Sequence, residues 1–411
     1  MNSFKPKTRV LMLAWEYPPR IIGGLARVVY FLSRELAQQG MEVHVVTADH
    51  PNTLEHEVDE FGVHIHRVKN QVTVAAGVWV TEQSPDFRTF ITRLNVGMLQ
   101  HALKLHKEEP FDIVHAHDWL VWDSAWVLKA LGLPIVSTIH ATEAGRNDGV
   151  LDRPDSIYVG EVEARLAVES GQIIVNSRHM LDEVTAYFPV KADKVKIVPN
   201  GILPDRLACS IERSTLRKAY GVAAGPVILF VGRLVQEKGV QLLLKAAPKI
   251  LAAYPKATFM VAGEGYFRES LESIVRKQKL EDSVRFLGLA DDAKLSQLYA
   301  IADVAVVPST YEPFGIVALE AMATRVPVVT SDAGGLKDIF QHRKNGIVFK
   351  AGNATKLGAG ILEVLGNPEL ADRLRVGARQ TVLDRFTWPV IAERTAQVYA
   401  EVLALHQKSG D

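Results

Sequence analysis

Two glutamates, Glu312 and Glu320, bracket a segment that opens with Pro313-Phe314-Gly315 and continues into an apolar run at 316–323. This turn predicts a helix whose first backbone N–H groups have no carbonyl partner inside the helix. Together with the helix dipole, those donors favour an anion or a sugar hydroxyl at the helix start. Because the second glutamate follows the first by about two helical turns, both carboxylates are expected to line one side of one pocket. A solvated helix with two unrelated glutamates is the alternative.

Two cations follow a predicted strand, 226–231, in the second half of the chain. Arg233 and Lys238 stand in one loop there. An arginine fork and a lysine point charge are complementary phosphate ligands, so the pair predicts a diphosphate site. Gly263 and Gly265 end another strand, where small residues leave room for a ligand or for a close-packed turn. Their spacing is not Gly-x-Gly-x-x-Gly, so no nicotinamide site is predicted.

Histidines that alternate along strands invite a metal interpretation. His115 and His117 would share one face of a strand, and Asp118 follows them. Asp118 lies beyond the strand end, however, and no matching Cys/His/Asp triplet stands elsewhere in the sequence. His64 and His66 alternate in the same way and are predicted to be ordinary sheet residues. No metal site is therefore predicted.

Short apolar runs alternate with amphipathic helical stretches, which predicts parallel βαβ units and two Rossmann-like domains. The first helix is expected at 25–39, and the Pro199-Asn200-Gly201 turn is the expected domain boundary. Predicted strands lie at 9–14, 43–48, 112–116, 134–139, 171–175 and 195–198, and then at 226–231, 258–262, 283–287, 304–308, 326–330 and 346–349.

Composition limits the class of protein. A length of 411 residues favours two domains. Residues 1–200 carry 20 Lys+Arg against 25 Asp+Glu, and the remainder carries 27 against 22. The basic second half is consistent with an anionic ligand, and the acidic first half argues against a nucleic-acid groove or an anionic membrane. We expect a cytoplasmic protein for three reasons. The only cysteine is Cys209, no apolar run reaches membrane-span length, and no signal-peptide segment is present.

These motifs resemble retaining glycosyltransferases of the GT-B type, especially family 4 and the related glycogen synthases. The resemblance covers essentially the whole chain and is strongest between Arg233 and Glu320. It implies an α/β fold of two Rossmann-like domains facing a central cleft. Residues 1–201 would form the acceptor domain, with a terminal helix at 387–411 packing back on it, and 202–386 the nucleotide-sugar donor domain. One departure is Ile21, where bacterial glycogen synthases have a lysine that Arg20 could replace.

The resemblance also implies a role for each motif. Arg233 and Lys238 would stabilise the leaving diphosphate, His140 would hold the donor sugar, Glu312 would bind donor hydroxyls and Glu320 the ribose. The implied catalytic set is His140, Glu312, Arg233 and Lys238. The implied donor-binding set is Gly23, Gly24, Arg233, Lys238, Gly263, Gly265, Leu289, Phe314, Gly315, Ile316, Val317 and Glu320. The implied acceptor set is Tyr17, Asp118, Glu143 and Arg146.

The expected activity is retaining transfer of a hexose from a nucleotide-diphosphate sugar, with ADP-glucose or UDP-glucose as leading donor. An α-glucan is a plausible acceptor, and a small sugar, sugar phosphate or lipid-linked acceptor is nearly as plausible. We expect no cofactor and no metal, because no Asp-x-Asp motif stands at a strand end. A 2-epimerase fits Glu-x7-Glu poorly, and a phosphorylase would be far longer. Degeneration at Glu312, Lys238 or His140 would favour a non-catalytic sugar-binding regulator, and all three are intact.

Overall fold

The computed structural model describes residues 8–69, 87–222 and 224–409. It divides into two compact units, Met1–Gly201 with Trp388–Asp411, and Ile202–Thr387. The N-terminal residues 1–7, where no signal segment is expected, and residues 410–411 of the predicted terminal helix lie outside the described residues.

The first unit is built on an eight-stranded sheet with the order β3-β4-β2-β1-β5-β6-β7-β8. Every pairing is parallel except the one between β3 and β4 at the edge. The strands are β1 (Arg9–Leu13), β2 (Glu42–Ala48), β3 (His56–Val58), β4 (His64–Val68), β5 (Ile113–His117), β6 (Ile135–Ile139), β7 (Gln172–Val175) and β8 (Val195–Ile197). The central strands are buried and mostly apolar because helices cover both faces of a parallel sheet.

Six helices of the first unit connect these strands. They are α1 (Gly24–Gln38), α2 (Phe87–Glu108), α3 (Trp122–Ala130), α4 (Glu143–Arg146), α5 (Pro154–Glu169) and α6 (Arg178–Tyr187). The first helix buries Leu25, Val29, Leu32 and Leu36, spaced so that they share one stripe.

The second unit is a six-stranded parallel sheet with the order β11-β10-β9-β12-β13-β14. Its strands are β9 (Val227–Val231), β10 (Thr258–Ala262), β11 (Val284–Gly288), β12 (Val304–Val307), β13 (Val328–Ser331) and β14 (Ile347–Phe349). Its helices are α7 (Arg213–Ala219), α8 (Val240–Ala253), α9 (Arg268–Lys277), α10 (Asp292–Ile301), α11 (Ile316–Ala323), α12 (Leu336–Ile339), α13 (Ala354–Gly366) and α14 (Pro368–Arg385).

Two hydrophobic cores flank the second sheet because side chains alternate along each strand. Val227 and Leu229 join the core that includes α11, whereas Ile228 and Phe230 join the core that includes α8 and α13. Complete burial of a side chain of this size contributes roughly 1.5–3 kcal/mol to folding. Both faces of β9 are therefore buried, and the sheet can present ligand-binding groups only at its ends.

The chain ends in α15 (Trp388–Ser409), which belongs to the first unit. The ring of Trp388 stacks on Phe31 with centroids 5.7 Å apart. A Cβ at Gly201 would lie 2.6 Å from that same Trp388 ring, so the close approach requires glycine. Further along the helix, the Tyr399 hydroxyl lies 2.7 Å from His115 Nδ1 on β5.

Candidate active site

Each sheet reverses its strand order next to its first strand, and several of the predicted site residues follow the strands beside that point. In the second unit the reversal falls between β9 and β12, and in the first between β1 and β5. Open α/β sheets bind ligands beyond the carboxyl ends of the strands at such a reversal. Lys238 and Glu312 stand in the loops after β9 and β12, and Tyr17 and Asp118 follow β1 and β5.

In the second unit, Lys238 and Glu312 form an ion pair. Lys238 Nζ lies 2.7 Å from Glu312 Oε2, and the two side chains are only 19% and 12% exposed. The Ser309 hydroxyl donates to the same carboxylate oxygen at 3.1 Å. Arg233, on the loop of Lys238, is exposed. The ion pair holds the ammonium group of Lys238 at the end of the sheet, and the serine bond holds the carboxylate. Two cations on one loop could together bind a diphosphate.

The loop that carries Lys238 rests directly on the loop after β12. Gly239 has φ +76°, and a Cβ there would lie 2.0 Å from the carbonyl oxygen of Pro308. Thr310 N–H donates to the Glu237 carbonyl at 2.8 Å. Backbone contact on both sides of Lys238 thus sets its position.

The glycines after β10 contact a neighbouring loop. A Cβ at Gly263 would lie 1.8 Å from the carbonyl oxygen of Gly232, and one at Gly265 would lie 2.3 Å from that of Leu234. Of the two alternatives that the sequence left open, a close-packed turn is therefore present at both positions. The structure gives these glycines a steric reason that needs no ligand. Leu289, which follows β11, has its side chain 78% exposed.

The start of α11 has the geometry of an anion site. Gly315 caps the helix with φ +114° and ψ +53°, a left-handed conformation that favours glycine. The first bond of the turn runs from Ala318 N–H to Gly315 O at 3.0 Å, so the amides of Ile316 and Val317 have no carbonyl partner inside the helix. Phe314, which precedes the cap, is buried. These amides could bind a phosphate or sugar oxygen.

Glu320 has a partner that the sequence did not indicate. Its buried carboxylate forms an ion pair with Arg206, whose other nitrogen lies 2.5 Å from Asp292. A buried carboxylate without such a cation would be strongly destabilising. Glu312 and Glu320 therefore have different cations, and any ligand that binds Glu320 must share it with Arg206 or displace Arg206.

In the first unit, the glycine turn after β1 is held by Glu16, which the sequence did not single out. This buried carboxylate accepts N–H groups from Ile22 at 2.5 Å, Gly23 at 3.0 Å and Ala26 at 3.3 Å. Burial raises the pKa of Glu16, while these three bonds act to lower it. The donor-binding role that the resemblance implies for Gly23 stays a prediction, and it cannot use the Gly23 N–H while Glu16 accepts that group.

Arg20 and Tyr17 are packing residues in this structure. The Arg20 guanidinium lies over the rings of Trp15 and Phe90, at 5.4 and 4.9 Å from their centroids. Tyr17 is 1% exposed, and its hydroxyl lies 3.4 Å from Ser33 Oγ. Tyr17 therefore packs in the core of this unit, and its implied contact with the acceptor stays a prediction. The burial of Arg20 disfavours its use as a substitute for the lysine at the position of Ile21.

The ends of β5 and β6 are joined by Asp118 and His140. Asp118 Oδ1 accepts the backbone N–H of His140 at 2.8 Å, and Asp118 has φ +60°. His140 Nε2 lies 3.2 Å from His117 Nδ1. Burial lowers the pKa of both rings, so they are neutral at neutral pH. A neutral imidazole at His140 can hydrogen-bond a sugar hydroxyl without repelling positive charge that develops nearby.

Glu143 and Arg146 lie on α4, directly after His140, and rest on a further buried carboxyl. Glu163 on α5 accepts the Glu143 N–H with both oxygens, at 3.0 and 3.1 Å. Burial raises the pKa of Glu163 to about 8, and Arg146 acts to lower it. Glu163 thus positions α4. A glutamate on the buried stripe of α5 was the signal that could have found it.

Two family models match the chain in succession. The model described as Glycosyltransferase Family 4 matches residues 22–206, and the one described as Glycosyl transferases group 1 matches residues 212–381. The glycogen synthase of Mycobacterium tuberculosis is 37% identical over 406 residues, which cover 95% of this chain and 94% of that protein. The chain belongs to glycosyltransferase family 4. The prediction of this family from the sequence motifs is thereby confirmed.

Further proteins are similar over comparable lengths. An uncharacterized glycosyltransferase of Methanocaldococcus jannaschii is 35% identical, over 95% of this chain and 97% of that protein. A D-inositol 3-phosphate glycosyltransferase of Segniliparus rotundus is 28% identical, over 93% and 85%. The structure of a sucrose-phosphate synthase from Thermosynechococcus elongatus matches with a TM-score of 0.81 at 23% identity, over 97% of this chain and 100% of that one. This likeness confirms the predicted GT-B fold.

The described helices include no candidate membrane span. Within residues 8–69, 87–222 and 224–409, none is both long and apolar enough to cross a bilayer.

Proposed function

We propose that this family 4 glycosyltransferase is a retaining hexosyltransferase that moves glucose from ADP-glucose or UDP-glucose to an acceptor hydroxyl. The observation that carries the proposal is the Lys238–Glu312 pair at the strand-order reversal of the second unit. The pair brings a cation next to the carboxylate that we assign to the donor sugar, in the loop that leads into α11. The similarity to glycogen synthase over 95% of the chain supports glucose as the sugar and an α-glucan as the leading acceptor.

In the proposed transfer, Lys238 and Arg233 bind the donor diphosphate. The bond from the anomeric carbon to the phosphate oxygen breaks, and the acceptor oxygen bonds to that carbon on the same face. The acceptor proton passes to the departing phosphate oxygen. Negative charge grows on the diphosphate as the bond breaks, so the two cations stabilise the transition state more than the ground state.

Other groups in the proposal orient the sugar and the nucleotide. Glu312, held by Lys238 and Ser309, accepts hydroxyls of the donor sugar, and Glu320 binds the ribose. His140 contacts the sugar as a neutral imidazole. Because side-chain cations and helix amides neutralise the leaving group, the proposed reaction needs no metal ion.

A second acceptor class is a small phosphorylated molecule. One relative is named a D-inositol 3-phosphate glycosyltransferase, which supports an acceptor that itself carries phosphate. In this chain, Arg146 is exposed on α4 and could bind such a group. Asp118 and Glu143, which flank His140, would then contact acceptor hydroxyls.

The test is release of nucleoside diphosphate from ADP-glucose and UDP-glucose, measured with a metal chelator present. Each donor is paired with an α-glucan, glucose 1-phosphate, inositol phosphate or buffer alone. We expect acceptor-dependent release, and NMR of the product should show an α-linkage. Lys238→Met serves as the inactive control. Saturable donor binding with no release for any pair would refute transfer to these acceptor classes and would favour another acceptor or the non-catalytic regulator. A requirement for divalent metal would refute the metal-free mechanism.

A further inference from the structure

Histidines from three neighbouring strands meet on one face of the first sheet. In the register, His44 on β2 lies opposite His64 on β4, and His56 on β3 lies opposite His66 on β4. Registered neighbours point to the same side of a sheet, as do residues two apart on a strand. The rings of His44 and His64 stack at 4.3 Å, and those of His56 and His66 at 4.5 Å. His101 on α2 adds a fifth ring, 4.7 Å from His66.

We propose that His44, His64 and His66 form a binding site for a divalent transition metal of the zinc, cobalt and nickel class. One nitrogen from each residue lies within 4.8 Å of the other two, a property of no other His/Cys/Asp/Glu group in the part of the chain that the structure describes. His44 Nδ1 and His66 Nε2 are 3.0 Å apart. With metal–nitrogen bonds of about 2.0–2.1 Å, tetrahedral ligands stand about 3.3 Å apart. Metal binding then requires that these two nitrogens move apart by a few tenths of an ångström and that the half-buried His64 side chain rotates.

Groups outside the three ligands are placed to orient them. His44 Nε2 lies 3.1 Å from Glu42 Oε1 and 3.3 Å from Arg9 Nη2. The carboxylate accepts from the tautomer protonated at Nε2, and the guanidinium donates to the other tautomer. Metal at Nδ1 selects the first, which is the carboxylate–histidine–metal arrangement common in zinc sites. His66 Nδ1 is similarly 2.9 Å from His101 Nε2, so its Nε2 can face the metal.

The donor set decides the class of metal. Three imidazoles suit zinc, cobalt, nickel and copper, whereas calcium and magnesium prefer oxygen ligands. A metal ion could reach the site from one side, because His64 is half-buried and His56 is exposed. The ligands lie in β2 and at the amino-end half of β4, whereas the proposed transfer residues stand beyond the carboxyl ends of their strands. We therefore infer a structural site that ties the edge strands together, separate from the proposed transfer chemistry.

The test uses full-length protein without a histidine tag, freed of metal by a chelator and titrated with Co²⁺ and then Zn²⁺. We expect one equivalent to bind with a Kd below about 10 µM. The visible absorption of Co²⁺ should indicate tetrahedral nitrogen ligands, and Zn²⁺ should displace it and raise the Tm. His64→Asn should weaken binding by at least about 30-fold, since losing a ligand costs no less than losing its outer partner. His406→Asn, on the exposed end of α15, should bind as the wild type.

Two outcomes would overturn the site. One is the absence of saturable Co²⁺ or Zn²⁺ binding up to about 1 mM. The other is wild-type metal affinity in His64→Asn. This variant is preferred because the His64 side chain is only half-buried, so its replacement should disturb folding least. His44→Gln is the second variant. Native circular dichroism of each variant ensures that lost binding reports a lost ligand.

Discussion

Gly239→Ala tests whether backbone contact between two loops sets the position of Lys238. Gly239 has φ +76° and Gly352, in the same unit, has φ +80°, but only Gly239 has a neighbour close to the added Cβ. Gly352→Ala should cost about 1 kcal/mol, since the left-handed conformation costs roughly 1–2 kcal/mol and the stiffer unfolded chain returns part of it.

Gly239→Ala carries that same cost and a steric one. The Cβ must move from 2.0 Å to at least 3.4 Å from the Pro308 oxygen, a shift of about 1.4 Å. Overpacking of this kind adds roughly 1–3 kcal/mol, so we expect a total of about 2–4 kcal/mol. Urea unfolding of Gly239→Ala and Gly352→Ala beside the wild type measures the difference.

The same shift should impair catalysis, because Lys238 is the adjacent residue. A misplacement of about 1 Å at a reacting group can lower the rate about 10²-fold. We therefore expect kcat for donor turnover to fall on that order in Gly239→Ala and to stay near wild type in Gly352→Ala. Equal stability losses in the two variants, or wild-type kcat in folded Gly239→Ala, would refute the reasoning.

The remaining predictions concern single side chains. Lys238→Met and Arg233→Ala should each remove about 2–4 kcal/mol of leaving-group stabilisation, seen as lower kcat, while Lys245→Ala on the exposed side of α8 should not; unchanged turnover in both would refute the phosphate site. Glu320→Ala should weaken donor binding more than turnover, and a selective loss of kcat with normal donor affinity would contradict the ribose role. Burial lowers the pKa of His115 to about 3 in the folded chain. As the pH falls below about 6.5, this residue therefore takes up a proton in the unfolded chain but not in the folded chain. Wild-type stability should therefore fall on acidification by up to about 1.4 kcal/mol per pH unit from this residue, and His115→Gln should show a shallower fall in urea unfolding at pH 7.5 and 5.5; parallel curves would exclude the effect.

The central strands were predictable because they are buried on both faces. Every residue of Val227–Val231 and every residue after Arg9 in Arg9–Leu13 is apolar, and such runs mark parallel strands before any contact is known. The short edge strand His56–Val58 was missed, since it is polar and has only one neighbour. Local pattern therefore predicts the framework of the sheets and says less about their edges.

The site residues divide in the same way. Lys238, Glu312 and the cap at Gly315 could be predicted, because each stands in a loop beside a recognisable strand. Arg206 could not, since it lies 114 residues from Glu320 and meets it only in the fold. The capping of the glycine turn by Glu16 was also hidden, because a carboxylate in a loop gives no sign of which amides it accepts.

The placement of α15 has a consequence for synthesis on the ribosome. The second unit is one continuous stretch, Ile202–Thr387, whereas the first unit includes α15, which is made after the whole second unit. At about 5–20 residues per second, roughly 10–40 s separate Gly201 from its contact with Trp388. Nascent chains stalled after Thr387 should hold a protease-resistant second unit and a first unit that is still readily cleaved. The second unit would then complete its folding before the first unit, although the first unit begins the chain.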